Sequence, residues 1–263
     1  MTVKFGFQRW RAAVSLVAAM ATVLPLAYAD HSWGNYHWAR TSNPFTVKLG
    51  DNVSGSWDSH LLGSSNDWSK SSVLDTAIVA SGTDPRKCRA TSGRVEVCNS
   101  KYGKNGWLGL ASIWASGDHI VQATVKVNDS YFTSPPYSTG DWSRSVMCQE
   151  IGHTFGLDHQ DENFNNESLL TCMDYQNPPY PSPNFHDYAQ LELIYQHLDS
   201  SAGTIDSGGK GKSGLPSGFT GLELDGPGQW GRKVASFRNG AEDVYEADFG
   251  GGNRVITFVR RAN

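Results

Sequence analysis

Residues 149–159 and a short segment after them place the tightest limits on what this chain can fold into. They read QEIGHTFGLDH, and CMDY follows over residues 172–175. Residues four apart share one face of a helix, so Gln149 and His153 project from the same side. Gly156 suits a sharp turn after the helix because glycine tolerates positive φ, and this turn would bring His159 back beside His153.

Side chains in this spacing are suited to holding one metal ion. A catalytic zinc keeps three protein ligands and an open fourth position, where a bound water becomes acidic enough to react near neutral pH. Gln149, His153 and His159 are the predicted ligands. Glu150 stands beside them and is the predicted general base, which takes a proton from the water and passes it to the leaving amine.

The pattern resembles HExxHxxGxxH with its methionine turn, the signature of the metzincin zinc endopeptidases, with Gln149 in place of the first histidine. The resemblance implies an α+β fold with a small twisted mixed sheet, an antiparallel edge strand, an active-site helix, a methionine turn and a C-terminal helix. It places Met173 in the turn beneath the metal and makes Tyr175 a contact for zinc or the oxyanion. It also implies hydrolysis of protein or peptide substrates by a zinc-activated water, with Glu150 as the base.

The branch within this family stays open. The compact size and short approach to the motif are most similar to the matrixin-like members. Tyr175 is instead similar to the astacin and serralysin branches, and no pro-domain with a cysteine switch is recognisable.

Three interpretations of Gln149 compete. Its amide oxygen could bind zinc, although it is a poorer donor than imidazole. Another side chain, such as His119 or Asp158, could supply the missing donor. The site could also have lost its metal, which would leave a secreted relative that binds peptides or surfaces without cutting. A metal-free site has no physical need for Glu150, so a zinc endopeptidase with one catalytic ion is favoured. The sequence does not indicate whether the protein also binds structural calcium.

The first 29 residues have the features of a secretory signal. A cationic start is followed by an apolar run over residues 12–26 and by Ala27-Tyr28-Ala29, an A-x-A cleavage site. The apolar run is shorter than the ~20 residues that span a bilayer. We therefore predict an extracellular protein without a membrane span.

The charge of the chain limits the partners that the sequence predicts. The signal contains three of the 22 Lys and Arg residues and none of the 26 Asp and Glu residues, so the mature chain is acidic. We expect a monomer that does not bind nucleic acid.

The four cysteines permit three pairings that the sequence does not separate. We expect Cys88 to pair with Cys98 and Cys148 to pair with Cys172, which would tie the active-site helix to the methionine turn.

The rest of the chain divides by composition into an N-terminal segment (30–43), a catalytic domain (44–200), a Gly/Ser linker (201–218) and a β-rich tail (219–263). Within the domain we expect strands over 45–49, 94–98, 107–114 and 119–128, the last as an edge strand that could align a peptide. Helices are expected from Asp67 through Ala80, from 141 or 143 to 155, and from an Asn184 cap to about 198.

Two questions are left open by the sequence outside the motif. The tail contains three β-like pieces near 234–237, 243–249 and 255–260, with a hairpin turn over 250–253, and is either an appendage docked on the domain or an export, sorting or binding element. His31 and His37 are interpreted as surface or packing residues, and His186 and His197 as structural.

Overall fold

The computed structural model describes residues 1–3, 30–161, 166–201, 216, 218–219, 221–237 and 240–262. Most of the predicted signal and linker lie outside these residues. The strands are β1 His37–Trp38, β2 Phe45–Asn52, β3 Leu74–Ala80, β4 Val95–Ser100, β5 Trp107–Ser116, β6 His119–Asn128, β7 Arg232–Phe237, β8 Glu242–Gly250 and β9 Asn253–Arg261. The helices are α1 Trp57–Trp68, α2 Gly140–His153 and α3 Phe185–Ile194, and a short 3-10 turn spans Pro227–Gln229.

The described strands form one mixed sheet in the order β3-β2-β4-β6-β5-β9-β8-β7, and β1 pairs with the start of β6. The strands from β3 to β6 are parallel, and β5 runs antiparallel to β6. The tail strands β9, β8 and β7 continue from β5 by antiparallel pairing. The result is a mixed α+β fold in which the tail extends the sheet instead of standing apart from it.

Two expectations about the sheet are wrong. Residues 74–80 form β3 and not a helix, because their β-branched side chains suit the parallel pairing with β2, and the helical spacing rested on three apolar positions alone. Asp67 lies near the end of α1. The strand over 119–128 is not an edge strand, since β6 is paired with β4 on one side and β5 on the other.

The helix that carries the motif begins and ends close to its predicted bounds. The Thr139 side chain accepts a hydrogen bond from the backbone N–H of Trp142 and caps the start of α2. The helix packs against α1 and against β5 and β6. Asn184 caps α3 as predicted, with a reciprocal capping box to Asp187, although α3 ends four residues early. No helix among the described residues is long and apolar enough to cross a membrane.

The tail covers β5 at its edge and on its outer face. Trp107 and Trp114 of β5 are buried in an apolar cluster with Phe219 and Trp230 of the tail. The indole N–H of Trp107 donates to the carbonyl of Asp225 at 3.1 Å. The larger cluster on the opposite face packs the helices against the sheet and includes Phe258 of β9. The tail therefore contributes to both hydrophobic cores.

Both predicted disulfide pairings are confirmed. The Cα atoms of Cys88 and Cys98 are 5.9 Å apart, and those of Cys148 and Cys172 are 6.0 Å apart. The second bridge joins α2 to the segment that carries Met173. The motif helix and the predicted methionine turn are thus held together covalently.

Replacing Gly156 with alanine is expected to destabilise the fold by more than about 2 kcal/mol. Gly156 has φ +93°, and an added Cβ would lie 2.1 Å from the backbone carbonyl oxygen of Tyr36. Urea unfolding measures the loss. Gly140→Ala is the matched control because nothing lies within 4 Å of a Cβ at that position. Equal midpoints for the two variants would contradict this account of the turn.

Candidate metal centre

The motif residues come together at the end of α2, beneath the sheet. Glu150, His153 and His159 are all buried. The turn after the helix brings His159 to within 4.8 Å of the His153 ring, measured between ring centroids. Met173 lies below the helix, where a Cβ at Gly152 would be 2.7 Å from its sulfur. The absence of a side chain at Gly152 lets Met173 approach the helix directly.

The third group at the two histidines comes from the tail. Glu242, the first residue of β8, is buried, with one carboxylate oxygen 3.3 Å from His153 Nε2. Its other oxygen lies 3.0 Å from His159 Nε2. Among the described residues, two groups of side chains are arranged so that they could hold a metal ion. One of these groups is His153, His159 and Glu242.

Neighbouring groups orient both imidazoles toward Glu242. The Nδ1 of His153 donates to the carbonyl of Leu157 at 2.9 Å, which leaves the lone pair on Nε2 when the ring is neutral. The carboxylate of Asp158 lies 3.3 Å from His159 Nδ1. A hydrogen bond to the second nitrogen of a metal-binding histidine fixes its orientation in the same way.

The centre buries several ionisable groups close together. Glu150 and Glu242 are carboxylates, and Arg260 of β9 is the cation that faces them. Burial raises the pKa of Glu150 well above its usual range, and the Glu242 carboxylate raises it further. Burial alone would lower the pKa of His159, but Glu242 reverses that direction and raises it. The carboxylate of Glu242 therefore attracts either a proton on His159 or a metal ion.

Gln149 is buried in the same centre, but its amide oxygen is engaged elsewhere. It accepts a hydrogen bond from the Nη1 of Arg260. The same guanidinium lies over the rings of Trp142 and Tyr175, at 5.6 Å from each ring centroid. Arg260 and Glu242 are direct register partners on adjacent strands, so one hairpin delivers both charges to the site.

The other candidates from the sequence lie in different positions around the centre. Asp158 lies at the Nδ1 side of His159, away from the two Nε2 atoms. The Nε2 of His119 lies 3.2 Å from a carboxylate oxygen of Asp199, in a separate cluster. The hydroxyl of Tyr175 is 3.3 Å from His159 Nε2 and therefore lies on the same side of that ring as Glu242.

The residues fit zinc. Two imidazole nitrogens and one carboxylate oxygen are a common zinc ligand set, and ligand atoms on a tetrahedral zinc lie about 3.3 Å from one another. The distances from Glu242 to the two Nε2 atoms are 3.3 and 3.0 Å. Within the described part of the chain, neither Glu242 oxygen nor His153 Nε2 has a hydrogen bond of normal geometry. Buried polar atoms rarely lack partners, and a metal ion would satisfy all three.

Direct access to the centre is closed by the tail. Strand β9 pairs antiparallel with β5 from Trp107 to Ser116 and occupies the edge that β5 would otherwise expose. Gly109 of β5 makes room beneath it, since a Cβ there would lie 2.5 Å from a Glu150 oxygen. A cavity of about 160 Å³ lies beside Trp142, Tyr175 and Arg260.

No protein-family model matches the chain, and no curated protein matches it in sequence. Among solved structures, the fold is similar to that of myroilysin at 10% identity and a TM-score of 0.36, covering 64% of this chain and 99% of that one. It is also similar to high choriolytic enzyme 1, a hatching-enzyme zinc-protease from Oryzias latipes (medaka fish), at 12% identity and a TM-score of 0.33, covering 61% and 94%. Likeness at this distance concerns the fold in outline, so the function is argued from the site itself.

Glu242 and Arg260 are the residues of the centre that the motif does not reveal. The tail strands carry a signal that could have identified them. Residues Ile256 and Phe258 face the helix-side core, and Arg260 follows at the same two-residue spacing. A charged residue at a position that alternation assigns to the core indicates a buried partner. The sequence does not say which partner it is.

Proposed function

We propose that the chain is an exported zinc-dependent endopeptidase that its own C-terminal hairpin holds in a latent form. The observation that carries the proposal is the buried centre of His153, His159 and Glu242, with Glu150 beside it. Export is supported by the signal-like start of the sequence and by the two disulfides, which persist in oxidising compartments.

In the latent form of this proposal, His153, His159 and Glu242 hold the zinc ion. The Glu242 carboxylate takes the place that the sequence gives to Gln149, whose oxygen is engaged by Arg260. Zinc, when bound, supplies a Lewis acid and lowers the pKa of a bound water to near neutrality.

Glu150 is the proton acceptor of the proposed reaction. Its carboxylate oxygens have no hydrogen-bond partner among the described residues, and burial beside Glu242 raises its pKa, which favours holding a proton taken from the water. Tyr175 lies on the Nε2 side of His159 and is the proposed contact for the developing oxyanion. Met173 supports the helix from below.

The tail suggests how a substrate would bind and why it does not bind in this form. An extended peptide that adds to a sheet edge uses main-chain hydrogen bonds, as a further strand does. Strand β9 uses the edge of β5 in this manner and brings Glu242 and Arg260 into the centre. In the proposal a peptide binds antiparallel to β5 once the hairpin is displaced. Glu242 and Arg260 leave with the hairpin, so the Gln149 oxygen, freed from Arg260, would become the third zinc ligand beside His153 and His159 in the active form.

The extensive packing of the tail against the domain favours a second function. The tail buries Trp107 and Trp114 and shares both hydrophobic cores, so displacing it exposes a large apolar surface. A chain in which the tail never leaves would be a non-catalytic zinc-binding relative. The two functions differ in whether peptide cleavage appears when the tail is loosened.

The test places a cleavage site for a sequence-specific protease within residues 206–213 of the full chain. The zinc-loaded protein is assayed with a pool of quenched peptides before cutting, and again after cutting and removal of the tail in mild denaturant. We expect the intact chain to be silent and the cut chain to gain at least tenfold in cleavage rate. Glu150→Gln and a chelator should each abolish this gain.

A second experiment on the uncut chain controls for unfolding of the cut protein. Trp230→Ala is expected to loosen the tail without cutting and to raise cleavage above that of the parent. If both preparations remain folded and hold zinc but cleave no peptide, the endopeptidase proposal is lost and the non-catalytic function stands.

A further inference from the structure

A second group of metal-binding side chains lies away from the centre, around Asp199. The Nε2 atoms of His37, His119 and His197 lie 3.5, 3.2 and 3.7 Å from one carboxylate oxygen of Asp199. The Nε2 atoms of His37 and His197 are 3.2 Å apart. The donor atoms of His37, His197 and Asp199 thus lie 3.2 to 3.7 Å from one another, close to the spacing of about 3.3 Å between ligands on one tetrahedral ion. We propose that this Asp199 cluster binds a divalent ion of the zinc class, separately from the centre at His153.

The surroundings of Asp199 prepare it for this role. Its second oxygen accepts hydrogen bonds from the backbone N–H and the Nη1 of Arg40, at 3.0 and 2.9 Å. The other oxygen is thereby turned toward the three histidines. Outer partners of this kind fix the orientation of a ligating carboxylate.

The imidazole rings of the cluster are also oriented toward Asp199. The Nδ1 of His37 donates to the carbonyl of Asn35 at 2.7 Å, so Nε2 of the neutral ring keeps its lone pair toward Asp199. Without an ion, one carboxylate oxygen must satisfy three imidazoles, two of which face each other. Protons on all three rings would repel one another at this distance. One cation shared by His37, His197 and Asp199 removes this conflict, while His119 keeps its hydrogen bond to Asp199.

An ion can reach this position from solvent. His37 and His197 line a surface cavity of about 470 Å³. The side chains of His119 and His197 are 46% and 50% exposed, whereas His37 is 7% exposed. His37, His197 and Asp199 form the group whose donor atoms lie close enough together to share one ion, and His119 adjoins this group through Asp199.

The ion would tie together three parts of the chain that are distant in sequence. His37 lies on β1, His119 is its register partner on β6, and His197 and Asp199 follow α3. The N-terminal segment would thereby be fastened to the sheet and to the end of the domain. We infer a stabilising role, in which bound zinc raises the thermal midpoint.

The test counts zinc per full-length chain by mass spectrometry after dialysis. We expect two ions in the parent, one in His197→Ala, one in His153→Ala/His159→Ala and none in the combined variant. His60→Ala, which removes a partly exposed histidine outside both clusters, should keep two. The two sites are removed by different substitutions, so failure of the proposed catalytic centre and failure of this site give different counts.

A stability measurement provides the second readout. In the His153→Ala/His159→Ala background, a hundredfold excess of zinc over its Kd should raise the thermal midpoint by about 5–10 °C. Adding His197→Ala should remove this shift. The proposal is overturned if His197→Ala binds as much zinc as the parent, or if the midpoint shift survives that substitution.

Discussion

The Glu242→Ala variant is expected to bind zinc at the His153 centre at least about 100-fold more weakly than the parent. Glu242 provides one of three donors, and loss even of an outer partner of a metal site weakens binding 10- to 100-fold. Competition with a chromogenic chelator measures the affinity. The His197→Ala background removes the proposed second site from the measurement, and Glu242→Gln tests the loss of charge at nearly constant shape.

Gln149→Ala is the decisive comparison. Its oxygen accepts from Arg260, so we expect this variant to lose stability of about 1–3 kcal/mol while its zinc affinity stays within about threefold of the parent. The opposite pattern, with zinc lost in Gln149→Ala and kept in Glu242→Ala, would mean that Gln149 is the zinc ligand and that zinc binding does not need Glu242.

Trp230→Ala is expected to destabilise the tail by about 3–5 kcal/mol, the usual cost of truncating a buried tryptophan. Trp230 is fully buried, packs on Tyr245 with ring centroids 5.0 Å apart, and donates its indole N–H to the Leu224 carbonyl at 2.9 Å. Hydrogen exchange read by mass spectrometry should show faster exchange in β7, β8 and β9 than in β2 and β4.

Phe185→Ala controls for the loss of an aromatic ring in an exposed position. Phe185 is 72% exposed, so its truncation should change stability by less than about 0.5 kcal/mol. If Trp230→Ala accelerates exchange equally in β4 and β9, the tail and the domain unfold as one unit. Displacement of the hairpin alone would then be ruled out, and with it the latent-enzyme proposal.

The local parts of this structure follow from the sequence. The alternating strand near Phe45, the helix of the motif, the Asn184 cap and the three tail strands all lie within a few residues of their expected positions. Each depends on side chains close in sequence, where periodicity and capping residues act directly. The segment over residues 74–80 departs from this rule because its pairing with β2 outweighs a weak helical pattern.

The non-local parts could not be predicted in the same way. Glu242 follows His159 by more than eighty residues, and only the path of the sheet brings β8 to the end of α2. His37, His119 and His197 are single histidines in three separate segments, with no spacing that relates them. Their meeting at Asp199 depends on the pairing of β1 with β6 and on the chain path after α3.

The most direct test of the central claim is an anomalous difference map at the zinc edge from crystals of the zinc-loaded full chain. The account predicts a peak within bonding distance of His153 Nε2, His159 Nε2 and a Glu242 oxygen, with Arg260 still bound to Gln149. A peak coordinated by the Gln149 oxygen, or a zinc-loaded crystal with no peak at these histidines, would contradict it.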